Sequence, residues 1–465
     1  MPEAAILGAC RLGSVLAPAG HGKTEAIVKA AKLGRRALIL THTHAGVHAL
    51  RSRLRRLGVP PGAASVETIA GWSLKYANAF PGVGDPPDGL PKAKEDWERI
   101  SRGAASVLAL KAVRNVISCS YDRVFVDEYQ DCDSLHHDLV MALSITLPTV
   151  IFGDPMQGIF EFTGDSIRWT EHVAPNFPLA VELLVPRRWE GKDPTLGAWI
   201  AQTRGKLMRG EIIDLQSGPV NFIQAPNAFA MEAFFERFIE REGSIAAIHC
   251  RRGMCDKLAS ATRGAFQSIE EIAAKRLRQF AMEWDQAPTL GARLAALRSL
   301  HNDCFSQKPL SAGEIDSRED AQVIADLKSH GERYEKTAEL SHVRSIFSLS
   351  RKHPRWRVFR GELWRDANRA LSELAAGRAS NLADAVSSIC QRTSLSGRAT
   401  QKRTISTPLL LKGLEFDHVL IPDATHFLKE SNAQAKLFYV AISRATRSLT
   451  ITAPDRYIQF PVPNL

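Results

Sequence analysis

Two strings of residues could bind and hydrolyse a nucleoside triphosphate, and the first is APAGHGKT at residues 17–24. A loop of this composition presents backbone N–H groups and a lysine, Lys23, to the phosphates, while the hydroxyl of Thr24 suits a magnesium ion. Gly20 and Gly22 let the backbone come close to the ligand. Because an apolar stretch precedes the loop and an amphipathic run follows it, the sequence predicts a strand, a phosphate-binding loop and a helix.

The second string is VFVDEYQD at residues 124–131, where an acidic pair closes a run of β-formers. In-line attack of water on a γ-phosphate needs a carboxylate that holds the metal ion and another that orients the water. Asp127 and Glu128 can supply these carboxylates, and Asp127 together with Thr24 forms the predicted Mg²⁺ site. The residues expected to contact the nucleotide in the first string and just after it are Ala19, Gly20, His21, Gly22, Lys23, Thr24 and Glu25.

The elements that must position these residues are predicted by the hydrophobic pattern. Over residues 1–190, short apolar runs alternate with helical patterns, which is typical of an α/β protein with a parallel sheet. Such runs occupy residues 36–42, 121–128 and 148–154. Each run ends in a polar residue, as strands of a doubly wound sheet do where they meet a ligand.

The second half of the chain has a different pattern. From about residue 265 to 395 the sequence is rich in Ala, Leu, Glu and Arg and has few strand signals. Strand-like runs return at residues 418–424 and 448–453. We therefore predict a mainly helical module inserted within a second α/β domain.

Composition limits the class of protein. The chain has 465 residues, which exceeds the usual size of one hydrophobic core and predicts two to four domains. No stretch approaches the roughly 18 consecutive apolar residues of a membrane span, and the N-terminal residues lack a signal-peptide pattern. We expect a cytoplasmic protein without a membrane partner. The seven cysteines are scattered, and we expect them to be reduced.

A net charge of +10 is consistent with a polyanionic partner. Between Arg344 and Arg403 there are thirteen Lys or Arg against four Asp or Glu. Within this segment, RWRVFRGELWR at residues 355–365 interleaves arginines with aromatic residues. The mixture suits phosphates and stacked bases, but an amphipathic helix that buries its aromatics has the same pattern, and both interpretations stay open.

The order and spacing of further motifs resemble the UvrD, Rep and PcrA family of superfamily 1 helicases. The motifs are LTHTHAGVHALRSRL at 40–54, SVETIAGW at 65–72, IFGDPMQGIFEF at 151–162, ELLVPRRWE at 182–190, LLKGLEFDHVLIP at 410–422 and KLFYVAISRATRSL at 436–449. The resemblance implies an α/β fold with two RecA-like parallel-sheet domains and a mainly helical insertion in the second.

The resemblance also implies roles for individual residues. Gln157 would sense the γ-phosphate, and Glu415 would hold the ribose. Arg188, which the register favours over Arg187, and Arg444 would reach the γ-phosphate from the second domain. The residues that would contact nucleic acid are Thr41, His44, Thr68, Trp72, Phe160 and Phe162.

We predict domain boundaries from the same resemblance. The first RecA-like domain spans residues 1–180 and contains a reduced helical insertion at about 73–118. The second comprises residues 181–264 and 396–465, and the mainly helical insertion occupies residues 265–395.

The function implied by the resemblance is ATP-driven, Mg²⁺-dependent translocation along single-stranded DNA, or unwinding, in the 3′ to 5′ direction. ATP would be hydrolysed in the cleft between the two RecA-like domains, in DNA repair or in bacterial anti-phage defence. The alternative is a nucleotide-gated DNA-binding regulatory subunit of a nuclease complex with little unwinding activity. RNA is a lesser alternative to DNA, because stacking and phosphate contacts serve either polymer.

Overall fold

The computed structural model describes residues 2–89, 91, 93–160, 167–235, 242–269, 274–307, 318–396 and 402–465. The chain divides into two compact units. The first comprises Met1–Val220, Phe427–Ser448 and Tyr457–Leu465, and the second comprises Asn221–His426 and Leu449–Arg456. The first unit is thus assembled from three separate segments of the sequence.

The first unit is built on a six-stranded sheet in which all neighbouring strands are parallel. The strand order is β3-β2-β4-β5-β1-β6, so β1 and β4 lie on either side of β5. The strands are β1 (Leu12–Leu16), β2 (Ala37–Thr41), β3 (Ala64–Thr68), β4 (Arg123–Val126), β5 (Thr149–Gly153) and β6 (Leu179–Glu182).

Helices cover both faces of this sheet. Along β2, Leu38 and Leu40 pack into one hydrophobic core, while Ala37 and Ile39 pack into another. Every residue of β2 and β5 is buried, as expected for central parallel strands with two covered faces. The helices of the first unit are α1 (Pro2–Ala9), α2 (Lys23–Ala31), α3 (His44–Arg56), α4 (Ile69–Ala79), α5 (Pro81–Gly84), α6 (Lys94–Leu108), α7 (Lys111–Ser120), α8 (Ser134–Thr146), α9 (Pro194–Arg209) and α18 (Gln434–Ile442).

A second six-stranded sheet has the order β10-β13-β9-β14-β15-β8. The pairs β10–β13, β13–β9 and β9–β14 are parallel. The strands are β8 (Val220–Gln224), β9 (Ile245–Ile248), β10 (Gln267–Ser268), β13 (Arg403–Ser406), β14 (Phe416–Ile421) and β15 (Ala445–Ala453). Two antiparallel pairs are separate from the sheets: β7 (Ile213–Asp214) with β16 (Tyr457–Ile458), and β11 (Phe305–Gln307) with β12 (Trp356–Val358).

A helical module within the second unit has its own core, which includes Phe280, Trp284 and Leu371. Its helices are α12 (Lys275–Asp285), α13 (Leu290–Cys304), α14 (Arg318–Thr337), α15 (Leu340–Ser350), α16 (Gly361–Ala375) and α17 (Leu382–Ser396), and the unit also contains α10 (Met231–Phe235) and α11 (Arg252–Ala261). The aromatic residues Phe359 and Trp364 are buried. For these two side chains, the interpretation as buried aromatics of an amphipathic segment holds.

Two six-stranded sheets with parallel pairing and flanking helices confirm the predicted fold class. The short helix α5 starts with Pro81, at a position where a missing N–H is tolerated. The first compact unit extends to Val220, whereas the sequence placed a domain boundary at residue 180. Those domain boundaries stay a prediction.

Within the described part of the chain, none of the helices combines the length and the apolar character that crossing a bilayer requires. The seven cysteines, which all lie among the described residues, form no disulfide bonds.

Candidate nucleotide-binding site

The predicted phosphate-binding loop connects the buried strand β1 to the helix α2, which begins at Lys23. Gly20 and Gly22 have φ values of 76° and 86°, a left-handed conformation that favours glycine. A Cβ placed on Gly20 would lie 2.7 Å from Cζ3 of Trp189 and 2.8 Å from Cβ of Arg188. Both the backbone conformation and the close approach of Trp189 therefore require glycine at residue 20.

Steric crowding at Gly20 leads to a prediction with a matched control. Gly62 also has a positive φ, 87°, but no atom lies within 4 Å of the place that a Cβ would occupy. Gly62→Ala should cost about 1 kcal/mol of folding free energy from backbone strain alone. Gly20→Ala should cost about 1–3 kcal/mol more, because Trp189 and Arg188 must move. Chemical denaturation of both variants measures the difference, and equal destabilisation would contradict the packing described for the loop.

Lys23 lies between the two predicted carboxylates. Its Nζ is 3.1 Å from Oδ1 of Asp127 and 2.5 Å from Oε1 of Glu128. Burial disfavours the ammonium, but the two carboxylates outweigh that effect and raise the pKa of Lys23 above its ordinary value. Burial raises the pKa of Asp127, while the attraction of Lys23 opposes that shift. The structure therefore brings together the lysine and the acidic pair that the sequence predicted.

Glu128 has an unusual backbone. Its φ of 55° and ψ of 42° lie in the left-handed region, which costs free energy for a residue other than glycine. The conformation directs the carboxylate to Lys23 and also to Gln130, whose Nε2 donates to Oε2 of Glu128 over 2.5 Å. Strain of this kind is concentrated at functional sites.

The residues predicted to hold Mg²⁺ fit such an ion. Two carboxylates converge on one cation, the Lys23 ammonium, so this position already favours positive charge. Carboxylate and hydroxyl oxygens are the ligands that a hard divalent cation prefers. Asp127 and Thr24 would hold the ion, which when bound would neutralise charge on the phosphates.

Three residues expected to act on the γ-phosphate lie in the first unit with the loop. The backbone N–H of Arg188 donates to the Gly20 carbonyl over 2.9 Å, and its Nη1 donates to the Ser443 carbonyl over 2.6 Å. The buried Arg444 donates from Nη2 to Oε1 of Gln157 over 3.5 Å. Arg188, Arg444 and Gln157 thus belong to one connected set of contacts beside the loop.

Trp189 fixes this arrangement. It is fully buried, and its Nε1 donates to the Ala445 carbonyl over 2.8 Å. The same ring lies against Gly20 and against Gly197 of α9. Trp189 therefore joins the loop to the segment that carries Arg444.

Other predicted nucleotide contacts have different surroundings. Glu25 pairs with Lys29 over 2.6 Å and with Arg53 over 3.3 Å, so its carboxylate is engaged along α2 and α3. His21 is buried, with Nδ1 2.9 Å from the carbonyl of Ala19, and burial lowers its pKa. Glu415 belongs to the second unit and is exposed just before β14.

The predicted nucleic-acid contacts are only partly accessible. Trp72 is 0% exposed and stacks on Tyr76 with ring centroids 4.1 Å apart, and its contact with nucleic acid stays a prediction. Thr41 is also buried, and the hydroxyl of Thr68 accepts the backbone N–H of Gly71 as the cap of α4.

His44 is exposed as the first residue of α3. Phe160 is half-buried, whereas Phe162 lies outside the described residues. His44 and Phe160 are therefore the predicted nucleic-acid contacts that remain accessible among the described residues.

A cavity of about 550 Å³ lies in the first unit beside Phe160. Its lining combines the rings of Phe160 and Trp169 with polar side chains that include His137, Gln130 and Lys436. Gln130 also hydrogen-bonds Glu128, so one side chain borders both the cavity and the acidic pair.

Three residues of this region were not predicted from the sequence. Asp154 and Tyr439 are buried, and Arg204 pairs with Asp154 over 2.8 Å. The Tyr439 hydroxyl accepts the backbone N–H of Ala19 over 2.9 Å. The spacing of apolar residues along α9 could have identified Arg204, because it occupies the buried stripe with Ile200 and Leu207.

A parallel α/β sheet with a glycine-containing loop before a helix, and a lysine paired with strand-end carboxylates, is the arrangement typical of proteins with a phosphate-binding loop. Residues 92–178 match the family model described as the UvrD/REP helicase N-terminal domain. The match confirms, over these residues, the resemblance that the motifs predicted. No curated protein sequence matches the chain.

Two solved helicase structures are similar to this chain over most of its length. The arterivirus nonstructural protein 10 helicase, solved with DNA, has a TM-score of 0.36 and 10% identity over 97% of this chain. The PRRSV helicase has a TM-score of 0.33 and 12% identity, also over 97% of this chain. The chain spans 63% and 54%, respectively, of the lengths of these proteins.

Proposed function

We propose that the chain is an ATP-driven motor that translocates along single-stranded DNA, or unwinds it, in the 3′ to 5′ direction. The observation that carries the proposal is a chain of contacts: the Arg188 backbone bonds Gly20 of the loop, its side chain bonds Ser443, and the next residue, Arg444, bonds Gln157. Hydrolysis of a γ-phosphate requires cations that absorb developing charge and a carboxylate that orients water. The match of residues 92–178 to a helicase family supports the same conclusion.

Each of these residues has a task in the proposed reaction. Lys23 and the loop amides bind the phosphates, and Asp127 with Thr24 holds Mg²⁺. Glu128 orients the attacking water and accepts its proton. Arg188 and Arg444 stabilise the charge that develops on the transferred group.

Single-stranded DNA is proposed to bind beside Phe160. The cavity there is lined by aromatic rings and by polar groups, a combination that accepts stacked bases of any sequence. Gln130 borders this cavity and also bonds Glu128. DNA bound in the cavity would therefore change the position of Glu128 through Gln130. We propose that the protein acts in the cytoplasm, in DNA repair or in bacterial anti-phage defence.

A parallel set of assays tests this proposal. ATP hydrolysis should rise several-fold with single-stranded DNA and less with duplex DNA or RNA. Strand displacement should occur on duplexes with a 3′ single-stranded tail and not on those with a 5′ tail. Lys23→Ala is the control that should abolish both signals. Hydrolysis indifferent to every polymer, or displacement only from 5′ tails, would contradict the proposed motor.

A second candidate function is a nucleotide-gated DNA-binding regulatory subunit of a nuclease complex. The observation that favours it is the burial of Thr41, Thr68 and Trp72, because three of the six residues predicted to contact nucleic acid are withdrawn from solvent. In that case ATP should change the affinity for DNA or for a partner nuclease, and strand displacement should be undetectable in the assays above.

A further inference from the structure

Asp154 is a fully buried carboxylate at the end of β5, and four groups surround it. The carboxylate accepts hydrogen bonds from the backbone N–H of Met156 over 3.1 Å and from Nε2 of Gln157 over 3.2 Å. The other two partners are Arg204 and Tyr439, which come from distant parts of the sequence. A buried carboxylate is tolerated only when such partners compensate for the loss of water.

Arg204 supplies the positive charge. Its Nη2 donates to Oδ1 of Asp154 over 2.8 Å, and the pair is almost entirely removed from solvent. The guanidinium also lies over the ring of Tyr439, 6.0 Å from the centroid. Because ion pairs of this kind are costly to break, Arg204 holds Asp154 in one position.

Tyr439 connects this carboxylate to the phosphate-binding loop. Its hydroxyl accepts the backbone N–H of Ala19 over 2.9 Å, and its ring lies beside the guanidinium of Arg204, the ion-pair partner of Asp154. Burial and the Asp154 charge hold the pKa of Tyr439 well above its ordinary value, so the phenol stays protonated. The loop backbone is therefore anchored through one phenol to one buried ion pair.

The same carboxylate positions the residues opposite the loop. Gln157 donates to Asp154 from Nε2, which fixes the direction of its Oε1, and that oxygen accepts Nη2 of Arg444 over 3.5 Å. The backbone N–H of Asp154 donates to Oε1 of Gln130, which in turn bonds Glu128. Asp154 thus contacts Gln157, which bonds Arg444, and Gln130, which bonds Glu128.

We propose that Asp154, Arg204 and Tyr439 form a positioning relay that sets the geometry of the phosphate-binding loop relative to Gln157 and Arg444. The relay residues are positioning residues, because they act on the nucleotide through the loop and through Gln157. The inference rests on the proposed function, since it assumes that a nucleotide occupies the loop. Of the three relay residues, Arg204 lies outside the motifs that carry the family resemblance.

Three variants and a control test the relay in the full-length chain. Tyr439→Phe removes only the hydroxyl, and Arg204→Met removes the charge while keeping much of the volume. Arg204→Lys retains a cation that can pair with Asp154. Arg209→Gln, on the exposed end of the same helix, is the control because Arg209 pairs with a surface carboxylate, that of Glu211. Binding of a fluorescent ATP analogue and ATP hydrolysis are measured for each, with thermal unfolding as the check on folding.

Tyr439→Phe and Arg204→Met should each weaken binding of the analogue about tenfold, the size expected when a buried hydrogen bond to a charged group is lost. The double variant should bind the analogue no more weakly than the weaker-binding single variant, because both substitutions disrupt the same relay. Arg204→Lys should recover most of the affinity, and Arg209→Gln should match the wild type. If Arg204→Met fails to fold, Tyr439→Phe decides the question on its own.

Unchanged affinity in folded Tyr439→Phe would overturn the relay, as would variants that lose thermal stability while binding and hydrolysis stay at the wild-type level. The proposed function fails in a different way. A wild-type chain that binds the analogue without hydrolysis or any DNA response would overturn the motor, yet the comparison of variant affinities would still support or overturn the relay.

Discussion

Lys23→Ala is expected to lower the rate of ATP hydrolysis by roughly 10²–10³-fold, the size typical of removing one group that stabilises transition-state charge. Nucleotide affinity should fall as well, because Lys23 is the cation of the phosphate-binding loop. The loss is expected to be large because Lys23 is the ion-pair partner of both Asp127 and Glu128. Without the Lys23 ammonium, the carboxylates of Asp127 and Glu128 would repel the phosphates of the nucleotide. Steady-state hydrolysis with saturating ATP and Mg²⁺ measures the effect.

Lys32→Ala is the matched control for this prediction. Lys32 follows the same helix, but it is exposed, and its Nζ donates to the Leu57 carbonyl over 3.3 Å, away from the acidic pair. The control should hydrolyse ATP at the wild-type rate. Circular dichroism must show that Lys23→Ala is folded, because loss of a buried ion pair also lowers stability. A folded Lys23→Ala variant that keeps wild-type hydrolysis would exclude the site proposed here.

Arg188→Ala is expected to lower the hydrolysis rate by about 10³-fold, within the range observed for arginines that stabilise a transferred phosphoryl group. The Michaelis constant for ATP should change much less, because the guanidinium contributes mainly in the transition state. The structural reason is the placement of Arg188, whose backbone bonds Gly20 and whose side chain bonds the residue before Arg444.

Arg187→Ala is the natural comparison, because the two arginines are adjacent and the sequence alone allows either register. The side chain of Arg187 is exposed, and its Cδ lies 3.0 Å from the place that a Cβ on Gly22 would occupy. We expect Arg187→Ala to change the rate by a few-fold at most. The reverse ranking, with Arg187 essential and Arg188 dispensable, would show that the register assigned to this motif is wrong.

The first sheet was predictable because its strands are short apolar runs with polar ends. The runs at residues 36–42, 121–128 and 148–154 correspond to β2, β4 and β5 within two residues at each end. Buried parallel strands tolerate few substitutions other than apolar ones, so the pattern is strong. The lysine and acidic pair were predictable for a related reason, since strands β1 and β4 end at the same edge of the sheet.

The remaining parts of the site depend on contacts between distant residues, which no local pattern encodes. Tyr439 and Ala19 are 420 residues apart, and Arg204 and Asp154 are 50 apart. The burial of Trp72 was not predicted, because an aromatic residue type does not reveal burial. Its spacing of four from Tyr76 is the signal that could have indicated this burial, since such residues share one face of a helix.

The three-part construction of the first unit has a consequence for how the protein is made. Residues 221–426 are synthesised between the segment that contains the loop and the segment that contains Tyr439. At ordinary elongation speeds of about 5–20 residues per second, a ribosome needs roughly 10–40 s to cover that interval. During this interval, the phosphate-binding loop has already been synthesised, but the Ala19 amide cannot yet donate to the Tyr439 hydroxyl. The nucleotide site is therefore completed only after the segment Phe427–Ser448 has been synthesised.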